Sequence, residues 1–132
     1  MDEKEINKLN KLSNKYHNKY NVNDKLKIYH MTKTTIRYIE KNIMNIPKEY
    51  MILRNRIIDT SYKIMEGIIR ANIFQDKEDK KAIIVDIQLL NFYLDEARIN
   101  GVLTDKKFYS YSKYLLQIDK MVRTWINYEK SW

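Results

Sequence analysis

The chain has 132 residues, of which 44% are hydrophobic and 32% charged, with two glycines, one proline and no cysteine. This length suits a single domain, the shortage of helix breakers favours long helices over a strand-and-turn architecture, and the absence of cysteine excludes disulfides and thiolate metal sites. The formal net charge of +8 favours an anionic partner, although a lysine-rich proteome would also produce it.

Residues 1–24 are polar, rich in Asn and Lys and only weakly periodic. They lack the apolar centre of a secretory signal, and no apolar run in the chain approaches the roughly 20 residues of a membrane-spanning helix. We therefore expect a cytoplasmic protein without a membrane partner. It consists of a polar N-terminal extension, residues 1–24, frayed or in part helical, and a helical domain, residues 25–132.

The first firm helix is expected to begin after Asn23 or Asp24, because either side chain can cap it. Pro47 is expected to end it, since its ring disfavours helical geometry in the preceding residue and it has no N–H to donate. Apolar residues recur within this helix at intervals of three, four or seven, which indicates one inward stripe. The stripe consists of Tyr29, Ile36, Ile39, Ile43 and Ile46.

The second predicted helix covers about residues 53–73, and its inward stripe consists of Ile57, Ser61, Ile64, Ile68 and Ala71. The third opens at Asp76, with Asp79 three residues on in a weak capping arrangement. Its inward stripe consists of Ile83, Ile87, Leu90, Leu94 and Ala97. Asn100-Gly101 closes this helix, since Gly tolerates the left-handed conformation just beyond a helix end.

Thr104 or Asp105 caps the fourth predicted helix. Its inward stripe consists of Phe108, Tyr111, Leu115, Ile118, Val122 and Trp125. Four stripes with a three-four spacing, joined by short loops, predict an all-α protein. The architecture that they favour is an antiparallel up-down-up-down four-helix bundle.

Two helices carry a second set of apolar residues away from the inward stripe. The set consists of Ile58, Tyr62, Met65 and Ile69 on the second helix, and Val85, Leu89, Phe92 and Ile99 on the third. A wide core stripe with a few exposed apolar residues would also account for them. A run of four on the far side of a helix favours self-association, so these eight residues are candidates for an oligomer interface.

Positive charge is segregated along the chain and ordered within its helices. Residues 76–101 carry a net charge of −2, whereas residues 25–50, 51–75 and 102–132 carry +4, +2 and +3. Within the basic segments, cations repeat every seven or four residues, so that at the seven-residue spacing they lie on the order of 10 Å apart along one helix face. The rows consist of Lys33, Arg37 and Lys41; of Arg56, Lys63 and Arg70; and of Lys106, Lys113 and Lys120.

Such rows are suited to binding the phosphate backbone of a nucleic acid. The alternative is a solvated face on which each cation pairs with a carboxylate four residues away. Asp59 is placed in this way relative to Lys63, and Glu66 relative to Arg70. Segregation of charge between helices favours the binding interpretation.

The residue patterns of common catalytic and metal sites are absent from the sequence. The two histidines, His17 and His30, form no Glu-x-x-His pair and no Arg-x4-His pattern, and Gly67 and Gly101 are too isolated to build a phosphate-binding loop. No histidine is placed to activate a serine or threonine. We therefore expect a protein that is not an enzyme and that uses no cofactor or metal.

Several short motifs occur in order along the predicted helices. They are Pro47-Lys48, Tyr50-x-x-Leu53-Arg54-x-Arg56-Ile57, Ile64-x-Glu66-x-Ile68-Ile69-x-Ala71, Leu89-Leu90-x-x-x-Leu94, Gly101-Val102-Leu103, Lys107-Phe108-Tyr109 and Trp125-Ile126. Their order and spacing resemble the accessory variability determinant family of diversity-generating retroelements, and more broadly the four-helix-bundle proteins encoded by intervening sequences in bacterial large-subunit ribosomal RNA genes. The similarity covers residues 25–128, roughly. The chain differs from the family in its N-terminal 24 residues, and in having Arg123-Thr124 where the family usually has Gly-Gly.

The resemblance implies a basic, non-enzymatic four-helix bundle that assembles into a homopentamer. It also implies two partners, namely the retroelement's reverse transcriptase and the RNA or cDNA of mutagenic reverse transcription. Arg54 and Arg56 match the family's basic residues at the start of the second helix. Together with Arg123 and all members of the cation rows except Lys33, they form the candidate nucleic-acid-binding set: Arg37, Lys41, Arg54, Arg56, Lys63, Arg70, Lys106, Lys113, Lys120 and Arg123. The alternative hypothesis is a helical protein-interaction scaffold without a nucleic-acid role.

Overall fold

The computed structural model describes residues 2–8 and 26–128 of the chain. All regular structure within these two ranges is helical, which confirms the predicted all-α class. It consists of a short helix at residues 3–8, α1 (Lys27–Ile43), a 3-10 helix (Lys48–Tyr50), α2 (Met51–Phe74), α3 (Lys77–Ile99) and α4 (Asp105–Tyr128). Residues 9–24 of the predicted extension, including the candidate caps Asn23 and Asp24, lie outside the described residues.

The four long helices pack around one hydrophobic core. α1 and α3 each contact both α2 and α4, and every residue of the four predicted inward stripes is buried. Trp125 and Tyr111 are the largest side chains with no exposed surface. The three-four periodicity therefore identified the core correctly, because residues at this spacing share one face of a helix.

The ends of α1 differ from the prediction. Leu26 precedes the first turn and provides no side-chain cap, and the helix ends at Ile43 rather than at Ile46. Ile46 is nevertheless buried, because the turn after Ile43 returns it to the core. Pro47 then immediately precedes the 3-10 helix that leads into α2.

The two later connections follow the predicted chemistry. The Asp76 carboxylate accepts a hydrogen bond from the backbone N–H of Glu78 at 2.9 Å, which caps α3. Gly101 has a φ of 76° just after α3, as expected for a helix closed by glycine. Thr104, rather than Asp105, caps α4, since its hydroxyl accepts from the N–H of Lys107 at 3.2 Å.

None of the helices in the described ranges combines the length and the apolar character that crossing a lipid bilayer would require.

Candidate functional site

The cations on α4 form a row of exposed side chains. Lys106, Lys113 and Lys120 share one heptad position, and all three are exposed. Within residues 2–8 and 26–128, no acidic side chain forms an ion pair with any of these three lysines. Five ion pairs among the described residues involve other cations, and one of them joins Lys63 to α3. These three residues, the α4 lysine row, therefore present uncompensated positive charge to solvent.

Two apolar side chains lie between the lysines on the same side of α4. Tyr109 is 64% exposed and Leu116 is 54% exposed. Tyr109 lies three residues after Lys106 and four before Lys113, so it shares their helix face. A tyrosine beside lysines offers a surface for base stacking next to phosphate contacts. The sequence analysis did not assign Tyr109 or Leu116 to a binding site, although their three-four spacing from the lysines was available as a signal.

The cation row on α2 lies beside the acidic helix α3. Arg56, Lys63 and Arg70 are all exposed. The Lys63 ammonium is 3.9 Å from an Asp86 carboxylate oxygen, so its ionic partner lies across the helix interface. Burial raises the pKa of Asp86, and the nearby Lys63 charge opposes that rise.

Arg56 lines a groove of about 410 Å³ between the start of α2 and the end of α3. The side chains of Glu49 and Glu96 line the same groove. Two carboxylates near one guanidinium reduce the positive potential that it presents to a phosphate. The α2 row is therefore less suited to binding an anion than the α4 lysine row.

The two candidate cations on α1 are half-buried. Arg37 lies near the Tyr62 hydroxyl, which donates a hydrogen bond to the Glu40 carboxylate and joins α2 to α1. That hydrogen bond is the main cause of the raised pKa of Tyr62, to which burial and the Glu40 charge add, while Arg37 opposes them. Lys41 lines a small groove together with Glu3 from the N-terminal segment, residues 2–8.

The two remaining candidate cations make contacts that hold local structure. The half-buried Arg54 donates to the sulfur atoms of Met51 and Met44 at 3.7 and 3.8 Å, and to Asn55. Arg123 donates to the buried Asp119 carboxylate at 2.7 Å. Both guanidinium groups are thus partly engaged within the chain.

The four apolar residues predicted on the outer face of α3 are exposed. Their exposed fractions lie between 39% and 63%, for Val85, Leu89, Phe92 and Ile99. We call this set the α3 apolar face. An oligomer interface on α3 requires that these residues be exposed on the single chain, because a contiguous apolar helix face in water favours contact with another surface.

The corresponding residues of α2 differ from the prediction of an outward stripe. Ile58, Met65 and Ile69 are half-buried and pack against the core. Tyr62 is 46% exposed, and its hydroxyl is bound by Glu40. On α2 this packing fits the alternative of a wide core stripe.

Lys80 is a buried cation that no sequence pattern predicted. Its side chain is 2% exposed, and the ammonium lies 4.8 Å from the centre of the Trp125 ring. This cation–π contact joins the first turn of α3 to the last turns of α4. A lysine in the first turn of a helix ordinarily lies at the surface, so no sequence signal indicated its burial.

No group of three or more His, Asp or Glu side chains in the described ranges is arranged to hold a metal ion. His30 contacts the Tyr29 ring edge-on, and His17 lies outside the described residues.

No protein-family model matches the chain, and a search of curated proteins finds no match. The surface that the described residues define belongs to an all-helical protein with a basic row on one helix and an apolar face on its neighbour. These two features are the structural basis for a functional proposal.

Proposed function

We propose that the chain is a non-catalytic accessory subunit of a retroelement reverse transcriptase, and that it binds both the enzyme and the RNA or cDNA. The observation that carries the nucleic-acid part is the α4 lysine row, which is exposed and without acidic partners among the described residues. The resemblance of residues 25–128 to the accessory variability determinant family supports the reverse transcriptase as partner.

The architecture that we propose for this subunit is an antiparallel up-down-up-down four-helix bundle. Each long helix packs against the next helix in the chain, and α1 also packs against α4. The connections are short, comprising residues 44–50, 75–76 and 100–104. Short connections favour antiparallel neighbours, and contact between the first and last helices supports a closed bundle.

Each lysine of the row can neutralise one phosphate and release its counterion. Three contacts with a single strand give a slope of about −2 for the logarithm of the binding constant against the logarithm of the salt concentration. The spacing of roughly 10 Å between successive lysines places them against non-adjacent phosphates of an extended strand. Affinity is therefore expected to fall steeply between low and moderate salt.

The test is a charge reversal of the whole row in the full chain, Lys106→Glu with Lys113→Glu and Lys120→Glu. Binding of a fluorescein-labelled single-stranded RNA, measured by fluorescence anisotropy across a salt series, should weaken by at least about tenfold, with a shallower salt dependence. The matched control reverses three exposed lysines that do not belong to the row, Lys48, Lys77 and Lys107.

Equal loss in the two triple variants would show that only the net charge matters, and would remove the α4 lysine row as the binding site. Absence of binding by the unaltered chain at low salt would overturn the nucleic-acid part of the proposal. Helical content should be unchanged in both variants, since all six side chains are exposed.

The proposed partnership with a reverse transcriptase is tested separately, by examining the genes that neighbour the gene for this chain. A neighbouring reverse transcriptase gene with template and variable repeats is the expected finding, and co-purification of the two proteins after co-expression should follow. A locus without these elements would favour the second candidate, a helical protein-interaction scaffold with no nucleic-acid role. The α3 apolar face is the observation that favours this second candidate.

The same face supports self-association of the proposed subunit. The resemblance implies a homopentamer, in which surplus apolar surface would be buried between copies. Val85 and Phe92, more than half exposed on one chain, would lose most of that exposure.

A further inference from the structure

The N-terminal segment, residues 2–8, contacts the helical domain through one apolar side chain. Ile6 is the segment's single large apolar residue and is 5% exposed, whereas the other six residues are exposed. The segment is helical at residues 3–8, and the Asp2 carboxylate accepts a hydrogen bond from the N–H of Glu5 at 2.8 Å. A capped helical turn thus presents one anchor residue to the domain.

The anchor lies in a groove along α1 that extends to α4. Beside Ile6 the groove contains a cavity of about 400 Å³, and Met31 and Tyr38 of α1 and Tyr114 of α4 line it. The Tyr38 ring contacts the rings of Tyr111 and Tyr114 at centroid distances of 5.3 and 6.2 Å, so the wall is built from mutually packed aromatic rings. A cavity of this size lies within the range of ligand-binding pockets, and among the described residues Ile6 does not fill it.

The charges of the segment complement those of the groove. Three of its seven residues are acidic and two are lysines, which gives a net charge of −1. Glu3 lines the cavity together with Lys27, and it lines the adjacent smaller groove together with Lys41. The groove therefore accommodates a helix that places an acidic side chain beside an apolar anchor, which is the chemistry of the segment that occupies it.

We propose that this groove, the α1–α4 groove, is a docking site for an amphipathic helix of a partner protein that carries acidic residues beside its apolar anchor, and that residues 2–8 occupy it until the partner displaces them. Binding of an amphipathic helix in an apolar groove is a common mode of protein recognition. The inference does not depend on nucleic-acid binding. It rests on the burial of Ile6, the unfilled cavity and the matched charges.

Among the described residues, the segment is held to the helical domain by one buried side chain, which suits it to displacement. Burial of one isoleucine side chain contributes only modest stabilisation, and an isolated helix of six residues is unstable in water. A partner helix with a larger anchor, such as Phe, would fill more of the cavity and bury more apolar area. Such a helix should replace the segment even though the segment is tethered.

A protein helix fits this groove better than a nucleic acid does. The side chain buried in it is aliphatic, and its walls include Met31 and two tyrosines. Phosphates are bound by clustered cations in solvent-exposed positions, whereas Lys27 and His30 are the basic residues that line the main cavity. The lysines of α4 that we assign to nucleic acid are not among its lining residues.

The experiment compares the full chain with its Ile6→Asp variant, in which the anchor no longer favours the groove. The probe is a fluorescein-labelled synthetic peptide with the sequence of residues 1–12 and Ile6→Phe. Its affinity, measured by anisotropy, should be at least about tenfold higher for the Ile6→Asp chain, because a tethered competitor at high effective concentration has been removed. The matched control is Leu116→Asp, the same kind of change at an exposed position of α4 outside the groove, which should leave probe affinity as in the unaltered chain.

A second variant tests whether the probe binds in the groove itself. Met31→Glu, added to Ile6→Asp, places a charge at a half-buried position of the groove wall and should abolish probe binding while circular dichroism shows the helical content retained.

Three results would overturn the proposal. The first is equal probe affinity for the unaltered and Ile6→Asp chains. The second is tighter binding of single-stranded RNA by Ile6→Asp without tighter probe binding, because the segment would then shield cations rather than hold a helix site. The third is dissociation of an assembly by Ile6→Asp, because the segment would then dock on a second copy of this chain.

Discussion

Gly67 of α2 faces Ile83 of α3 at a point where the two helices leave no room for a side chain. A Cβ atom at this position would lie 2.8 Å from Ile83 Cγ1. That distance is well below ordinary van der Waals contact between carbon atoms, at about 3.5–4.0 Å. The glycine therefore permits the close packing of α2 on α3, although glycine is a poor residue for a helix interior.

We predict that Gly67→Ala destabilises the protein by up to about 2 kcal/mol. Overpacking against Ile83 costs about 1–3 kcal/mol, and the gain in helix propensity offsets about 1 kcal/mol of this cost. The measurement is urea unfolding followed by circular dichroism. The control is Ala82→Gly on the exposed face of α3, which should cost about 1 kcal/mol through propensity alone. A Gly67→Ala protein more stable than the unaltered chain would show that the helices separate without cost.

Tyr111 is fully buried in the core, and its hydroxyl has no hydrogen-bond partner within the described residues. Asn42 lies close enough to affect it, but the Asn42 amide donates to the Tyr38 carbonyl at 2.9 Å. Burial raises the pKa of Tyr111 above its ordinary value of 10.0, the neighbouring Tyr38 adds to this rise, and Asn42 opposes it. The folded state therefore keeps this phenol protonated at a pH where the unfolded chain releases its proton.

From this we predict an alkaline loss of stability that depends on Tyr111. The contribution of Tyr111 to the free energy of unfolding is fully present below about pH 10. It declines above that pH, because the tyrosine then ionises in the unfolded state but not in the folded state. Tyr111→Phe should flatten the decline of the urea midpoint between pH 9 and pH 11, roughly the range in which an ordinary tyrosine titrates. At pH 7 the variant should be no less stable, because a buried hydroxyl without a partner has been removed. Tyr109→Phe, at an exposed position, should follow the unaltered chain, and parallel curves for all three proteins would contradict the prediction.

At the level of the helices, periodicity predicted the core but not the flanks. All inward residues from Tyr29 to Trp125 are buried, since one repeated spacing fixes which face each helix buries. The sequence could not show that Ile58, Met65 and Ile69 of α2 would pack against the core as well, because the width of a buried stripe depends on where the neighbouring helices lie. α3 has a similar pattern, and its outer apolar residues remain exposed.

For the candidate site too, sequence spacing predicted which residues share a helix face but not which residues of different helices meet. The spacing of Lys106, Lys113 and Lys120 predicted a shared face, which follows from helix geometry alone. Pairing of Lys63 with Asp86, and of Tyr62 with Glu40, joins residues 23 and 22 positions apart, and local spacing carries no information about such contacts. Ile6 lies in a segment whose composition is polar, so its burial followed from no pattern in residues 1–24.

The start of α3 offers a test of capping in this fold. Asp76 accepts the Glu78 N–H, whereas Asp79 lies in the same first turn without capping the helix. Asp76→Ala is expected to cost about 1 kcal/mol, because the N–H loses its acceptor. Asp79→Ala removes the same charge near the helix N-terminus and should cost only a few tenths of a kcal/mol. Thermal and urea unfolding of the two variants provide the comparison, and equal losses would mean that charge rather than capping stabilises this end.

On the scale of the whole molecule, apolar surface and charge are distributed in a way that suits assembly. The segment containing α3 has a net charge of −2, while the segments containing the other long helices are basic. The α3 apolar face therefore lies on the helix that a second, basic copy can approach with the least repulsion. Contact through this face would leave the α4 lysine row, on a different helix, free to bind a nucleic acid in every copy.

This arrangement predicts that the chain self-associates and that α3 is required for it. Light scattering coupled to size exclusion should give a mass above that of one chain at micromolar concentration. Leu89→Lys with Phe92→Lys should reduce it to the monomer, because two desolvated ammonium groups would replace apolar contacts in the interface. The matched control is Tyr109→Lys with Leu116→Lys, which places the same number of charges at exposed apolar positions of α4 and should leave the assembly intact. A monomeric unaltered chain would contradict the prediction, and dissociation by the α4 pair alone would place the interface on α4 instead.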